Sequence, residues 1–100
     1  MITSKQRAFL RKQANGLSPI FQIGKGGITD EVIAQLALAI EVRELIKVHI
    51  LETALLDAKD AINEVAKRLN AEPVQAIGSK FVIYKRAEKE KNRKIELPKK

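Results

Sequence analysis

Hydrophobic positions along this chain alternate between a helical and an extended period, and the changes of period divide it into seven elements. Thr3 and Gln6 have the spacing of a capping box, and Gly16 stands where a helix C-cap belongs, after Asn15, so a first helix is expected over residues 4–15. Phe9, Leu10, Gln13 and Ala14 share one side of it, while Lys5, Arg7, Arg11 and Lys12 take the other. Pro19 fits the first position of a short strand, residues 20–23, which runs into glycines. Thr29 reads as the N-cap of a second helix with Asp30 and Glu31 in its first turn. Val32, Ile33, Leu36, Ala37 and Ile40 recur at helical spacing as far as Arg43. Leu45-Ile46-Lys47-Val48-His49-Ile50 is rich in β-branched residues and predicts a second strand. Asp57 reads as the cap of a third helix with the stripe Ala58, Ala61, Ile62, Val65, Ala66 and Leu69, and Asn70 as its left-handed C-cap. Residues 74–77 and 81–84 flank Gly78-Ser79, a two-residue hairpin turn with glycine first.

The order helix-strand-helix-strand-helix-strand-strand predicts a small single α/β domain with a mixed four-stranded sheet packed with helices. Each strand-helix-strand unit is expected to cross over right-handed and give a parallel pair, and the closing hairpin to add an antiparallel strand. A chain of 100 residues buries roughly two thirds of its unfolded surface, enough for a core without staples. Residues 1–86 make the domain. Residues 87–100 read as a basic extension, partly ordered at most, in which Lys89-Glu90-Lys91-Asn92-Arg93-Lys94 is a solvated arm and Ile95, Leu97 and Pro98 a tip that packs.

Charge changes this picture, because it is segregated. Residues 1–29 carry +5 with no acid, residues 30–79 carry −4, and residues 80–100 carry +6, within a net charge of +7. Two basic blocks around an acidic middle point to a polyanionic partner. The turn between the first strand and second helix, Gly24-Lys25-Gly26-Gly27, lets a phosphate approach the backbone without meeting a Cβ. The following helix start offers unpaired N–H groups and a partial positive charge, and Lys25 adds a full charge at the tip. A positive φ at Gly24 would make any replacement there strained.

Catalytic readings fail on the residues. A P-loop needs four residues between its first glycine and Gly-Lys-Ser/Thr, and a dinucleotide fingerprint needs glycine where Thr29 stands. His49, the single histidine, has no candidate nucleophile near it in sequence. Asp57 and Asp60 are explained as a cap and a first-turn acid. An acyl-phosphate hydrolase would want an arginine by the loop and an asparagine to hold water, where only Lys25 stands. No enzyme, metal or cofactor is expected. The absence of cysteine excludes disulfides and thiolate sites. Neither a signal core nor a run of about eighteen apolar residues is found, so the expectation is a cytoplasmic monomer without membrane contact.

The segment Leu17-Ser18-Pro19-Ile20-Phe21-Gln22-Ile23-Gly24-Lys25-Gly26-Gly27-Ile28-Thr29 closely resembles the CRM domain, the chloroplast RNA splicing and ribosome maturation module. So do Glu44-Leu45-Ile46-Lys47-Val48, Gln75-Ala76-Ile77-Gly78, Phe81-Val82-Ile83-Tyr84-Lys85-Arg86 and the closing Arg93-Lys94-Ile95-Glu96-Leu97-Pro98. Among CRM proteins the chain is most similar to the stand-alone bacterial YhbY type. The resemblance implies a fold similar to the C-terminal domain of translation initiation factor three, and an RNA-binding protein acting on ribosomal RNA of large-subunit precursors. The family's Gly-x-x-Gly loop falls on Gly24, Lys25, Gly26 and Gly27. In the resulting expectation Lys5, Arg7, Arg11 and Lys12 extend the RNA track, and Lys47, Lys80, Lys85 and Arg86 continue it. Phe9, Phe21 and Phe81 are assigned to the core, leaving Tyr84 as the one aromatic platform. Shape and backbone contacts should therefore outweigh stacking. The alternative is a structural ribosomal protein or a protein-binding adaptor.

Overall fold

A computed structural model describes residues 2–99. Met1 and Lys100, included above in the 1–86 domain and the basic extension, lie outside the described residues. The elements are α1 (Ser4–Ala14), β1 (Phe21–Ile23), α2 (Asp30–Arg43), β2 (Leu45–Ile50), α3 (Ala58–Leu69), β3 (Glu72–Ile77) and β4 (Lys80–Tyr84), with 3₁₀ turns at Glu52–Ala54 and Glu90–Asn92.

Local chemistry explains most boundaries. The capping box forms at α1: the Gln6 amide donates to Thr3 Oγ1 at 3.1 Å and the Thr3 amide to Gln6 Oε1 at 2.9 Å. Its other end differs from expectation. Asn15 stays right-handed, and the chain leaves through three-residue bonds from Asn15, Gly16 and Leu17, so Gly16 is not a left-handed cap. The buried stripe is Gln6, Leu10 and Ala14, with Phe9 half-buried and Gln13 exposed. Gln6 takes the inner position because its side chain is satisfied twice, by the Thr3 amide and by donating to the Pro98 carbonyl at 2.9 Å. In α2, Leu36 and Ile40 are buried and Ala37 is exposed. In α3 all six stripe residues are buried and Asn70 caps at φ +57, but the Asp57 carboxylate makes no capping bond; only its carbonyl accepts, from Ala61.

The sheet order is β1-β2-β4-β3. β1 and β2 run parallel, while β4 is antiparallel to both β2 and β3. The β2-α3-β3 unit thus gives strands that run the same way without pairing, because the hairpin folds β4 between them. Composition explains the choice: Phe81, Val82, Ile83 and Tyr84 are all buried and suit a central strand. β3 carries Glu72, Pro73 and Gln75 with a register break between Pro73 and Gln75, and suits an edge. Gly78 makes the turn at φ +59.

Each face of the sheet has its own core. Ile23, Ile46, Val48, Ile50, Phe81 and Ile83 pack against α2 and α3. Leu45, Val74, Val82 and Tyr84 pack against Leu10 and Ala14 of α1, with Ile95 and Leu97 completing this second cluster. Tyr84 is therefore a core residue with 5% exposure, not a stacking platform.

The segment after β4, read from sequence as a solvated arm, is tied down by two glutamates of α2 and its end. Glu44, fully buried at φ +64, accepts from the amides of Ala87 at 2.8 Å, Lys94 at 2.6 Å and Ile95 at 2.9 Å. Glu41 accepts from the amides of Glu88 and Lys89 and from the Asn92 side chain. Arg93 closes the loop on the carbonyls of Ala87 and Glu88. Burial alone would raise the Glu44 pKa, but the three amides and the nearby Arg93 hold it below the ordinary value.

Candidate functional site

β1 delivers the chain to the sheet edge where residues 24–27 form a closed turn, the Gly27 amide donating to the Gly24 carbonyl at 2.9 Å. The left-handed residue is Gly27, at φ +73; Gly24 has no positive φ, so the strain considered for Gly24 falls on Gly27. Gly26 is constrained by neither factor. Its φ is not left-handed, and a Cβ there would meet no atom within 4 Å. A Cβ on Gly24 would make ordinary contact with Leu51 Cδ1 at 3.7 Å. Lys25 and Gly26 are exposed at the tip, and their amides donate to no acceptor among the described residues. Two exposed, unbonded amides next to an ammonium are the groups from which an anion seat is built.

The start of α2 contributes less than its position promises. Thr29 Oγ1 already accepts from the Val32 amide at 3.1 Å, and Asp30 and Glu31 occupy the first turn. Those carboxylates favour the helix dipole but oppose a second anion. Arg68 of α3 pairs with Asp30 and, at 4.0 Å, with Glu64, which offsets one of these charges.

The expected basic residues divide into groups. Lys80 begins β4 opposite His49, and Lys47 lies opposite Val82, so Lys47 and Lys80 both emerge on the face covered by α1. A cleft of about 380 Å³ opens there between Asn15, Lys47, Gln75 and Lys80. Lys5, Arg11 and Lys12 are exposed on the sides of α1 turned away from its buried stripe. Arg7 is engaged in holding the fold: its Nε donates to the Pro73 carbonyl at 3.0 Å and its guanidinium lies 3.9 Å from Glu72. Lys85 and Arg86 follow the far end of β4, roughly 17 Å from Lys80 at the usual strand rise, at the edge opposite the glycine turn.

The loop after β2 stands outside the sequence-based expectation. The Leu51 amide donates to the Ile23 carbonyl at 2.9 Å, which places this loop beside the glycine turn, and Leu55 stands 92% exposed at its tip. Two consecutive leucines before a helix cap were the available signal. No group of three His, Cys, Asp or Glu side chains able to hold a metal occurs among the described residues, and no helix there is long and apolar enough to cross a membrane.

A mixed sheet with helices on both faces, with exposed backbone amides at a strand-to-helix glycine turn and Lys47 and Lys80 on the face covered by α1, defines a small α/β domain. The chain belongs to the CRS1 / YhbY (CRM) domain family, whose sequence model it matches over residues 2–85. It is 47% identical over 98 residues to the Bacillus subtilis protein YqeI, named "Probable RNA-binding protein", covering 98% of this chain and all of that one. It is 33% identical to a Haemophilus influenzae protein named "RNA-binding protein", covering 99% and 97% of the two chains. A solution structure of a candidate RNA-binding protein from Staphylococcus aureus matches with a TM-score of 0.72 and 45% identity, over 98% of this chain and 100% of that one.

Proposed function

We propose that this protein binds RNA, and that its target is folded ribosomal RNA in precursors of the large subunit, where it acts as a cytoplasmic, monomeric assembly factor without catalysis. The observation that carries the reading is the exposed glycine turn, with the unbonded amides of Lys25 and Gly26 at the same end of the sheet as Lys80, with Lys47 next along that face and Lys12, Arg11 and Lys5 exposed on the α1 that covers it. Relatives named as RNA-binding proteins over nearly their whole length support it. An RNA phosphate sits on the turn amides, Lys25 supplies charge beside it, and the lysines and arginines of the α1 face follow the backbone onward. Arg7 acts from within the fold, and Lys85 and Arg86, which share a cleft with Ile2 and Gln6 at the start of α1, meet the RNA beyond Lys5. With all four aromatic residues packed in the two cores, recognition rests on shape and phosphate contacts.

Such an interface has a measurable signature. The logarithm of the RNA association constant is expected to fall linearly with the logarithm of salt concentration, by roughly 0.7 to 0.9 per neutralised phosphate. Filter binding across a salt series checks this, and a flat response contradicts a phosphate-led interface.

The assembly role makes a separate prediction. Modest affinity spread over exposed cations suits a factor that must leave its particle. In a sucrose gradient of cell extract the protein is expected with large-subunit precursors, absent from polysomes, and released by high salt. One copy per mature large subunit would instead identify a structural ribosomal protein.

A further inference from the structure

The sheet edge that carries the glycine turn also carries an open cleft of about 650 Å³, within the roughly 300–1,000 Å³ range of small-ligand sites. It lies between the loop after β2 and the β3-β4 hairpin, lined by Leu51, Leu55, Leu56, His49, Gly78 and Ser79. Its rim is unusual in two ways. Leu55 holds a left-handed conformation, φ +55 and ψ +35, that branched apolar residues rarely adopt. The same residue is 92% exposed, so no internal packing accounts for a leucine there. Leu51 connects this cleft to the glycine turn, since its Cδ1 lies 3.7 Å from where a Gly24 Cβ would be.

We propose that this cleft seats an unstacked RNA base while the adjoining glycine turn holds a phosphate of the same strand. The charges support that division. The loop carries Glu52 and Asp57 and no cation, which keeps phosphate away from it, so the part of a nucleotide it accepts is the uncharged base. The leucines supply an apolar surface for the base, the role that aromatic residues play elsewhere, and every aromatic side chain here is committed to the cores. The proposal rests on the RNA-binding reading and adds to it a preference for RNA with an extruded nucleotide over a continuous helix.

The test uses the full chain and two RNA stems of identical sequence, one with a single bulged adenosine and one fully paired, in fluorescence anisotropy titrations. Wild type is expected to prefer the bulged stem by about tenfold, the scale of one lost base-stacking contact. Leu55→Asn is expected to abolish that preference. Its melting temperature should equal or exceed that of wild type, because asparagine accepts the left-handed conformation more readily. Equal wild-type affinity for the two stems, or a preference that survives in L55N, overturns the base assignment and leaves the leucines to a protein contact. Failure of wild type to bind either stem in a salt-dependent manner overturns the RNA-binding reading itself, and the two failures are thereby distinguished.

Discussion

Gly26→Leu is expected to weaken RNA binding by about 10- to 100-fold while leaving the melting temperature close to that of wild type. The fold does not need glycine at this position, since its φ is not left-handed and a side chain would point into open space. In the proposed complex that space is where a phosphate comes to reach the unbonded amides of Lys25 and Gly26. An isobutyl group there blocks the approach and costs one charge-assisted hydrogen bond, worth about 1.5–3 kcal/mol. Gly27 is a poorer probe, because φ +73 strains any replacement and a weakened complex could reflect a weakened fold. Lys25→Ala, which removes one exposed charge and leaves the amides, is expected to cost about 1 kcal/mol. Anisotropy titrations beside thermal melts separate the cases, and unchanged affinity in a folded Gly26→Leu protein removes the turn from the interface.

Elements whose signals are local were legible in the sequence. The α3 stripe and its Asn70 cap, the Thr3-Gln6 capping box and the Gly78 turn each depend on residues within a few positions of one another, and each is present. The position of the glycine turn was legible for the same reason. What escaped depends on partners far along the chain. The insertion of β4 between β2 and β3 follows from competition between two strands for a central place, which no single segment reveals. Arg7 looks like its basic neighbours until the fold brings Pro73 and Glu72 to it, and Tyr84 looks like a platform until α1 covers it. The exposed loop after β2 escaped because exposed leucines have no periodic signature.

Glu44 is the clearest case of a role invisible in sequence, since its three amide partners lie 43 to 51 residues away. It stands at the end of α2 with φ +64, where glycine or asparagine would be the relaxed choice, and the carboxylate offsets that strain by clamping the segment after β4. Glu44→Gln is expected to destabilise the protein by about 2 kcal/mol, a drop of roughly 10 °C in melting temperature for a domain of this size. The carboxamide oxygen can keep the Lys94 and Ile95 amides, but its NH₂ group faces the Ala87 amide, donor against donor. The pH dependence follows from the same bonds. The folded-state pKa lies below the ordinary 4.5, so the unfolded chain binds more protons between the two values. The contribution of Glu44 is complete above 4.5 and is lost as pH falls through the depressed value. Wild type should therefore lose more stability than Glu44→Gln between about pH 7 and about pH 3, while Glu41, also held below its ordinary value by Asn92 and the Glu88 amide, contributes equally to both. Denaturant melts at the two pH values measure the difference. Equal stability at neutral pH together with equal acid slopes would mean that Ile95 and Leu97 hold this segment by packing alone.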